Sequence, residues 1–216
     1  MKDLFVYTAD LDALAFIKAI LVRPAALGIR EIAFDIDHFS GRDSGMVKEG
    51  PEIARSKVRK NEYGRLVLTW DRHGSGWEGV QPEVAAERVQ KRLDSSSWSG
   101  CSCAIVADPE IEEWLWSCQA ALAAHLKLTP HQLSAYVPPI AEDLGYSPKR
   151  CLREHPKEVF EELLYRCKRR GPLPEDFARN GDMADIKSLE SSPSFHNLAS
   201  ALRRWFPLPE TSADQY

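Results

Sequence analysis

Carboxylates gather where the apolar runs of this chain end. Asp10 and Asp12 follow the run at 4–8 (LFVYT), and Asp35 and Asp37 follow 29–34 (IREIAF). Asp71 and His73 follow 65–70 (RLVLTW), and Asp108, Glu110, Glu112 and Glu113 follow 101–107 (CSCAIVA). If these runs are strands of one parallel sheet, their carboxyl ends share an edge, and acids far apart in sequence converge there. Crowded carboxylates repel unless a cation lies between them, and hard oxygen donors suit Mg²⁺ or Mn²⁺. Such ions stabilise the oxygens that attack and leave in phosphoryl transfer. Each acid also has a plainer reading, because Asp and Glu in a first helical turn complement the macrodipole, as Asp108-Pro109-Glu110 does. Asp71 stands out, since it closes a strand and leads into a glycine-rich turn.

Other chemistry is less well supplied. The stretch 71–79 (DRHGSGWEG) has glycines but no following GK[ST], so it is not a phosphate-cradling Walker loop. Ser75 sits in no nucleophile elbow. Cys101 and Cys103 lie on one strand face without a second Cys or His pair at zinc-finger spacing, so buried apolar thiols are the reading. His73 has the chemistry of a metal ligand or proton carrier. Arg55, Lys57, Arg59 and Lys60 form a basic stretch that reads as a phosphate contact or as a solvated helix face. Arg166, Lys168, Arg169 and Arg170 read as cations at a helix C-terminus.

The elements that must position these groups follow from periodicity. Strands are expected at 4–8, 29–34, 65–70 and 101–107. Helices are expected from Leu11 to Pro24, over 51–60 and 82–93, and from Asp108 to about Leu126. Strands separated by helices predict an α/β fold with a four-stranded, mostly parallel sheet. After residue 127 the pattern is purely helical, with a capping box at Thr129-Pro130-His131-Gln132 and helices at 158–170 and 195–206. We therefore read an α/β domain at 1–127 and a helical C-terminal lobe at 128–216 packed on it. The chain has 216 residues with 44% hydrophobic and 28% charged, which excludes global disorder, collagen and coiled coil. A net charge of −4 argues against a wholly basic nucleic-acid binder, and five cysteines argue against a disulfide framework. The start of the chain is too polar for a signal peptide and no run spans a membrane, so a cytoplasmic protein is expected.

Three short motifs carry a resemblance. They are Asp71-Arg72-His73-Gly74, Glu110-Ile111-Glu112-Glu113-Trp114-Leu115 and Pro156-Lys157-Glu158, with a closing Ser194-Phe195-His196-Asn197-Leu198. In order and spacing the chain resembles the TOPRIM domains of topoisomerases, primases and overcoming-lysogenization-defect nucleases. It is most similar to a family of small bacterial TOPRIM-like proteins, some encoded near phage-defence genes. The resemblance implies a four-stranded parallel sheet, Mg²⁺ or Mn²⁺, and cleavage of nucleic-acid phosphodiesters in anti-phage defence. It implies Asp12, Asp71, Glu110 and Glu112 as metal ligands, and Asp71, Glu110, Glu112 and His73 as the catalytic group. On that reading the basic stretch of Arg55, Lys57, Arg59 and Lys60 would supply the nucleic-acid contacts. Partners would be nucleic acid, protein subunits of a defence system or a second copy, with no membrane. The sequence departs from the pattern at two points: the family's first-strand Glu falls on about Thr8, and the second Asp of its DxD falls on His73. Asp10 or Asp12 would then substitute for the first. Those departures support an alternative, a catalytically degenerate module that acts as an interaction subunit of a larger assembly. A nucleotide-binding regulator using the same edge is a third reading.

Overall fold

The computed structural model describes residues 1–209. In chain order the elements are β1 (Lys2–Thr8), α1 (Leu11–Leu21), α2 (Pro24–Leu27), β2 (Phe34–His38), α3 (Arg42–Lys57), β3 (Tyr63–Asp71), α4 (Pro82–Asp94) and β4 (Ser102–Ala107). Eight helices follow: α5 (Glu112–Ser117), α6 (Gln119–Leu126), α7 (Pro130–Asp143), α8 (Cys151–Glu154), α9 (Pro156–Lys168), α10 (Pro174–Met183), α11 (Ile186–Leu189) and α12 (Pro193–Trp205).

The four strands form one sheet in the order β2-β1-β3-β4, and all pairings are parallel. The fold is α/β with helices on both faces. Alternation along each strand divides the core in two. Leu4, Val6, Val67 and Ile105 face a large cluster built with α1, α5, α6, α9, α10 and α12. Tyr7, Leu66, Leu68, Trp70 and Val106 face a smaller one covered by α3 and α4. The helices after residue 127 thus share a core with one sheet face. Among the described residues no helix is long and apolar enough to cross a membrane.

Two elements differ from the sequence expectation. The second strand is 34–38, not 29–34. Ile29 is buried and makes an isolated bridge to Pro207, while Arg30 donates its N–H to Phe206 O. β2 is an edge strand, and an edge tolerates charge on its open side. Phe34 and Ile36 pack against the core, while Asp35 pairs with Lys2 at 2.6 Å and Asp37 stays exposed.

The third helix begins at Arg42 and carries Pro51 inside it rather than at its start. Buried Met46, Val47, Gly50 and Ala54 hold this helix against the sheet. Proline has no N–H for the carbonyl four residues earlier, which is that of Val47. Arg92 of α4 fills the gap, donating Nη1 to Val47 O at 2.5 Å and Nη2 to Lys48 O. A buried acceptor left unpaired would cost about 1–3 kcal/mol.

The segment expected as one helix from residue 108 opens later and is broken. It turns through a cis Asp108-Pro109 bond, starts α5 at Glu112, and breaks at Cys118 before α6. The capping box at Thr129 forms as expected: Thr129 Oγ1 accepts from Gln132 N–H at 3.2 Å, and Gln132 Oε1 accepts from Thr129 N–H at 2.8 Å.

Candidate metal centre

The carboxyl ends of β1 and β3 bring acids together with the first turn of α3. Asp10, Asp43 and Asp71 each offer a carboxylate oxygen, and the three oxygens lie within 4.8 Å of one another. Backbone amides hold each side chain in place. Asp10 caps α1, accepting from Ala13 N–H at 2.7 Å. Asp43 accepts the N–H of Asp71 at 2.8 Å, and Asp71 Oδ1 accepts from Ile111 N–H at 3.0 Å. Each carboxylate is therefore anchored through one oxygen.

Glu110 and Glu112 close the site from the turn after β4. Glu112 is 2% exposed and Glu110 8%. The Oε2 atoms of both are buried without a hydrogen-bond partner. Lys157, in the first turn of α9, places Nζ 3.8 Å from Glu110 Oε1. His73 Nδ1 lies 3.8 Å from Glu110 Oε2.

The electrostatics follow from this crowding. Burial, then the charges of Glu112, Asp10, Asp43 and Glu110, push the Asp71 carboxyl well above its usual value. Burial raises Glu112 to about 8, with Glu110 and Asp10 adding to the rise and Lys157 opposing it. Burial likewise raises Asp43 and Glu110. Asp12, in the first turn of α1, rises to about 6 through burial and the neighbouring Asp10. Burial would lower Lys157, but Glu112, Glu110 and Asp71 outweigh it and the ammonium is held above its usual value. An environment this negative favours either protons or a cation.

Compared with known proteins, the chain matches no protein-family model, no curated protein and no solved structure.

The structure brings Asp71, Glu110, Glu112 and His73 to one edge, while Asp12 feels the charges of Asp10, Lys157 and Asp176. Asp10 and Asp43, rather than Asp12, join Asp71 in the converging group. Asp10 was a candidate in sequence; Asp43 was not, because it lies in a polar stretch between Gly41 and Gly45. Its signal was a place in the first turn of α3, hidden while Pro51 was read as the helix start. Lys157 figured only as part of a motif. Thr8, where the resembling family has Glu, is buried and donates Oγ1 to Asp10 O at 2.7 Å.

The basic stretch is not brought to the acids. Asp43 starts α3 and Lys57 ends it, about 21 Å away at 1.5 Å per residue. Arg55, Lys57, Arg59 and Lys60 thus lie toward the amino ends of the strands, where Lys60 donates to Gly64 O at 2.8 Å and sits over the Trp98 ring. In the second basic stretch Arg166 pairs with Asp143 and Glu162, and Arg170 pairs with buried Asp176. All five cysteines are unpaired, and Ser75 is a turn residue whose Oγ donates to Arg72 O at 2.6 Å. Beside the acids a cleft of about 790 Å³ runs along the free edge of β4, lined by Arg72, His73, Asp108, Glu113, Arg153 and Asn197 among others.

Proposed function

We propose that the protein is a divalent-cation-dependent phosphodiester hydrolase built on a TOPRIM-like sheet, with nucleic acid as its substrate class. The observation that carries this reading is the convergence of Asp10, Asp43 and Asp71 at the strand edge. The donor set fits Mg²⁺ or Mn²⁺, being all hard oxygen. The orphaned Oε2 atoms of Glu110 and Glu112 add buried acceptors that lack a partner of their own. A divalent cation held there would shield phosphate charge and lower the pKa of a water.

The chain's own residues would do the rest. Asp10, Asp43 and Asp71 bind, kept in orientation by their backbone donors. Glu110, whose Oε2 lies 3.8 Å from His73 Nδ1, would take a proton from water, and His73, which lines the cleft, would pass it on. Glu112, whose carboxyl keeps its proton to about pH 8, would offer a further oxygen once a cation displaces that proton. The sequence resemblance supports a place in anti-phage defence.

A second reading, the degenerate interaction module, is favoured by Lys157 and Thr8. The Lys157 ammonium, 3.8 Å from Glu110, places a positive charge of the chain's own beside both glutamates, and Thr8 supplies a hydroxyl where the family has a carboxylate.

Calorimetric titration with Mn²⁺ and Mg²⁺, wild type beside Asp71→Asn, separates the two. Binding that is lost in the variant, with Mn²⁺-dependent cleavage of single-stranded or plasmid DNA or of RNA by the wild type, supports the hydrolase. No binding at millimolar cation overturns it in favour of the module, and cleavage retained by Asp71→Asn overturns the site assignment.

A further inference from the structure

α1 is apolar nearly all round. Phe16, Ile17 and Ile20 are buried in the core, Leu14 and Ala15 are half-buried, and Leu11 is exposed. A helix with this composition is ordinarily covered on both sides. α10 covers part of the outer side and approaches closely. A Cβ on Gly181 would lie 2.8 Å from the Ala19 Cβ and 2.9 Å from Phe16 O. Between the two helices runs an open groove of about 410 Å³ with mainly apolar walls. Four of the exposed large hydrophobic side chains sit on this pair or at its ends: Leu11, Val22, Leu173 and Met183. Such clustering marks an interaction surface.

Charge identifies the occupant. Lys18 lines the α1 side of the groove, while Glu175 and Asp182, two turns apart, line the α10 side. Lys18 and Asp182 enter no ion pair among the described residues. A patch with opposite charges on opposite flanks of an apolar strip is complementary to itself under a two-fold rotation. We propose that the α1–α10 face is a dimer interface occupied by a second copy of this chain. Lys18 of each protomer would meet Glu175 and Asp182 of the other, around a centre of Leu14, Ala15 and Val22. The charged flanks set register and the apolar strip supplies the driving force.

The test is sedimentation velocity from about 1 to 100 µM, a range that spans typical weak-to-moderate dimers. Wild type should dimerise with rising concentration. Lys18→Glu alone, and Glu175→Lys with Asp182→Lys, should each raise the dissociation constant roughly tenfold or more, because facing like charges repel. Mixing those two variants should restore the dimer, since each interface then pairs opposite charges again. That recovery also shows that both variants are folded. A wild type that stays monomeric throughout overturns the proposal and leaves the face to another partner. So does a dimer that neither variant weakens, or a mixture that does not recover.

Discussion

Glu112→Gln should stabilise the protein when no divalent cation is present, and the gain should grow with pH. The side chain is 2% exposed, and its carboxyl is raised from 4.5 to about 8 in the fold. Between those values the folded state holds a proton that the unfolded chain releases. Stability therefore falls as pH rises through that window, and below about 4.5 the group contributes nothing. The gap of about 3.5 pH units at ~1.4 kcal/mol each gives a ceiling of ~5 kcal/mol above pH 8. At pH 7 about two and a half of those units are in play, for ~3 kcal/mol. Gln keeps the shape and cannot ionise, but it deprives Lys157 of a carboxylate neighbour. The net gain at pH 7 to 8 is then on the order of 2 kcal/mol, or roughly 4–8 °C in Tm for a chain of this size. Urea denaturation in a chelating buffer, at pH 4.5 and at pH 8, measures it. With saturating Mg²⁺ the order should reverse, because the wild type gains RT ln(1 + [L]/Kd) from the ion and the variant gains less. A variant less stable than wild type at pH 8 in chelator would refute the reasoning. So would the same difference at both pH values.

Three further outcomes follow from the same geometry. Asp43→Asn should weaken Mn²⁺ binding by about tenfold or more while leaving the Asp71 N–H an acceptor, and in the wild type calorimetric affinity should fall as pH drops below about 8, because Glu112 and the other raised carboxyls then hold protons that the cation must displace; affinity flat between pH 5 and 8 would contradict it. Asp176→Ala should cost about 3–5 kcal/mol in chemical denaturation, because it strands Arg170 and His125 beside a buried gap. Burial opposes the Asp176 charge, but the Arg170 and His125 hydrogen bonds outweigh it and hold the carboxyl far below its usual value, so this stability is present above about pH 4 and should be lost in acid. Gly181→Ala should destabilise by about 1–3 kcal/mol, since its Cβ would meet backbone at Phe16 as well as Ala19; an unchanged Tm would show that α10 shifts freely.

The sheet and its acidic edge are legible in local pattern alone. Short, nearly continuous apolar runs at β1, β3 and β4, with helical patterns between them, point to parallel strands, and parallel strands put Asp71, Glu110 and Glu112 at one end. These are local signals. Which acids meet depends on long-range packing. Asp43 became a partner of Asp71 because α3 reaches back to Arg42, and it does so although Pro51 removes a hydrogen bond, since Arg92 from another helix supplies the missing donor. Asp10 took the place expected of Asp12 because as the cap of α1 it sits at the strand end, while Asp12, two residues further on, lies inside the first turn and outside the converging group. Lys157 reaches Glu110 from some fifty residues away, a contact that no spacing rule contains. Likewise the basic stretch at 55–60 lies far from the acids because α3 runs the length of the sheet. Local patterns fix the elements, but convergence depends on where long-range packing sets each helix end.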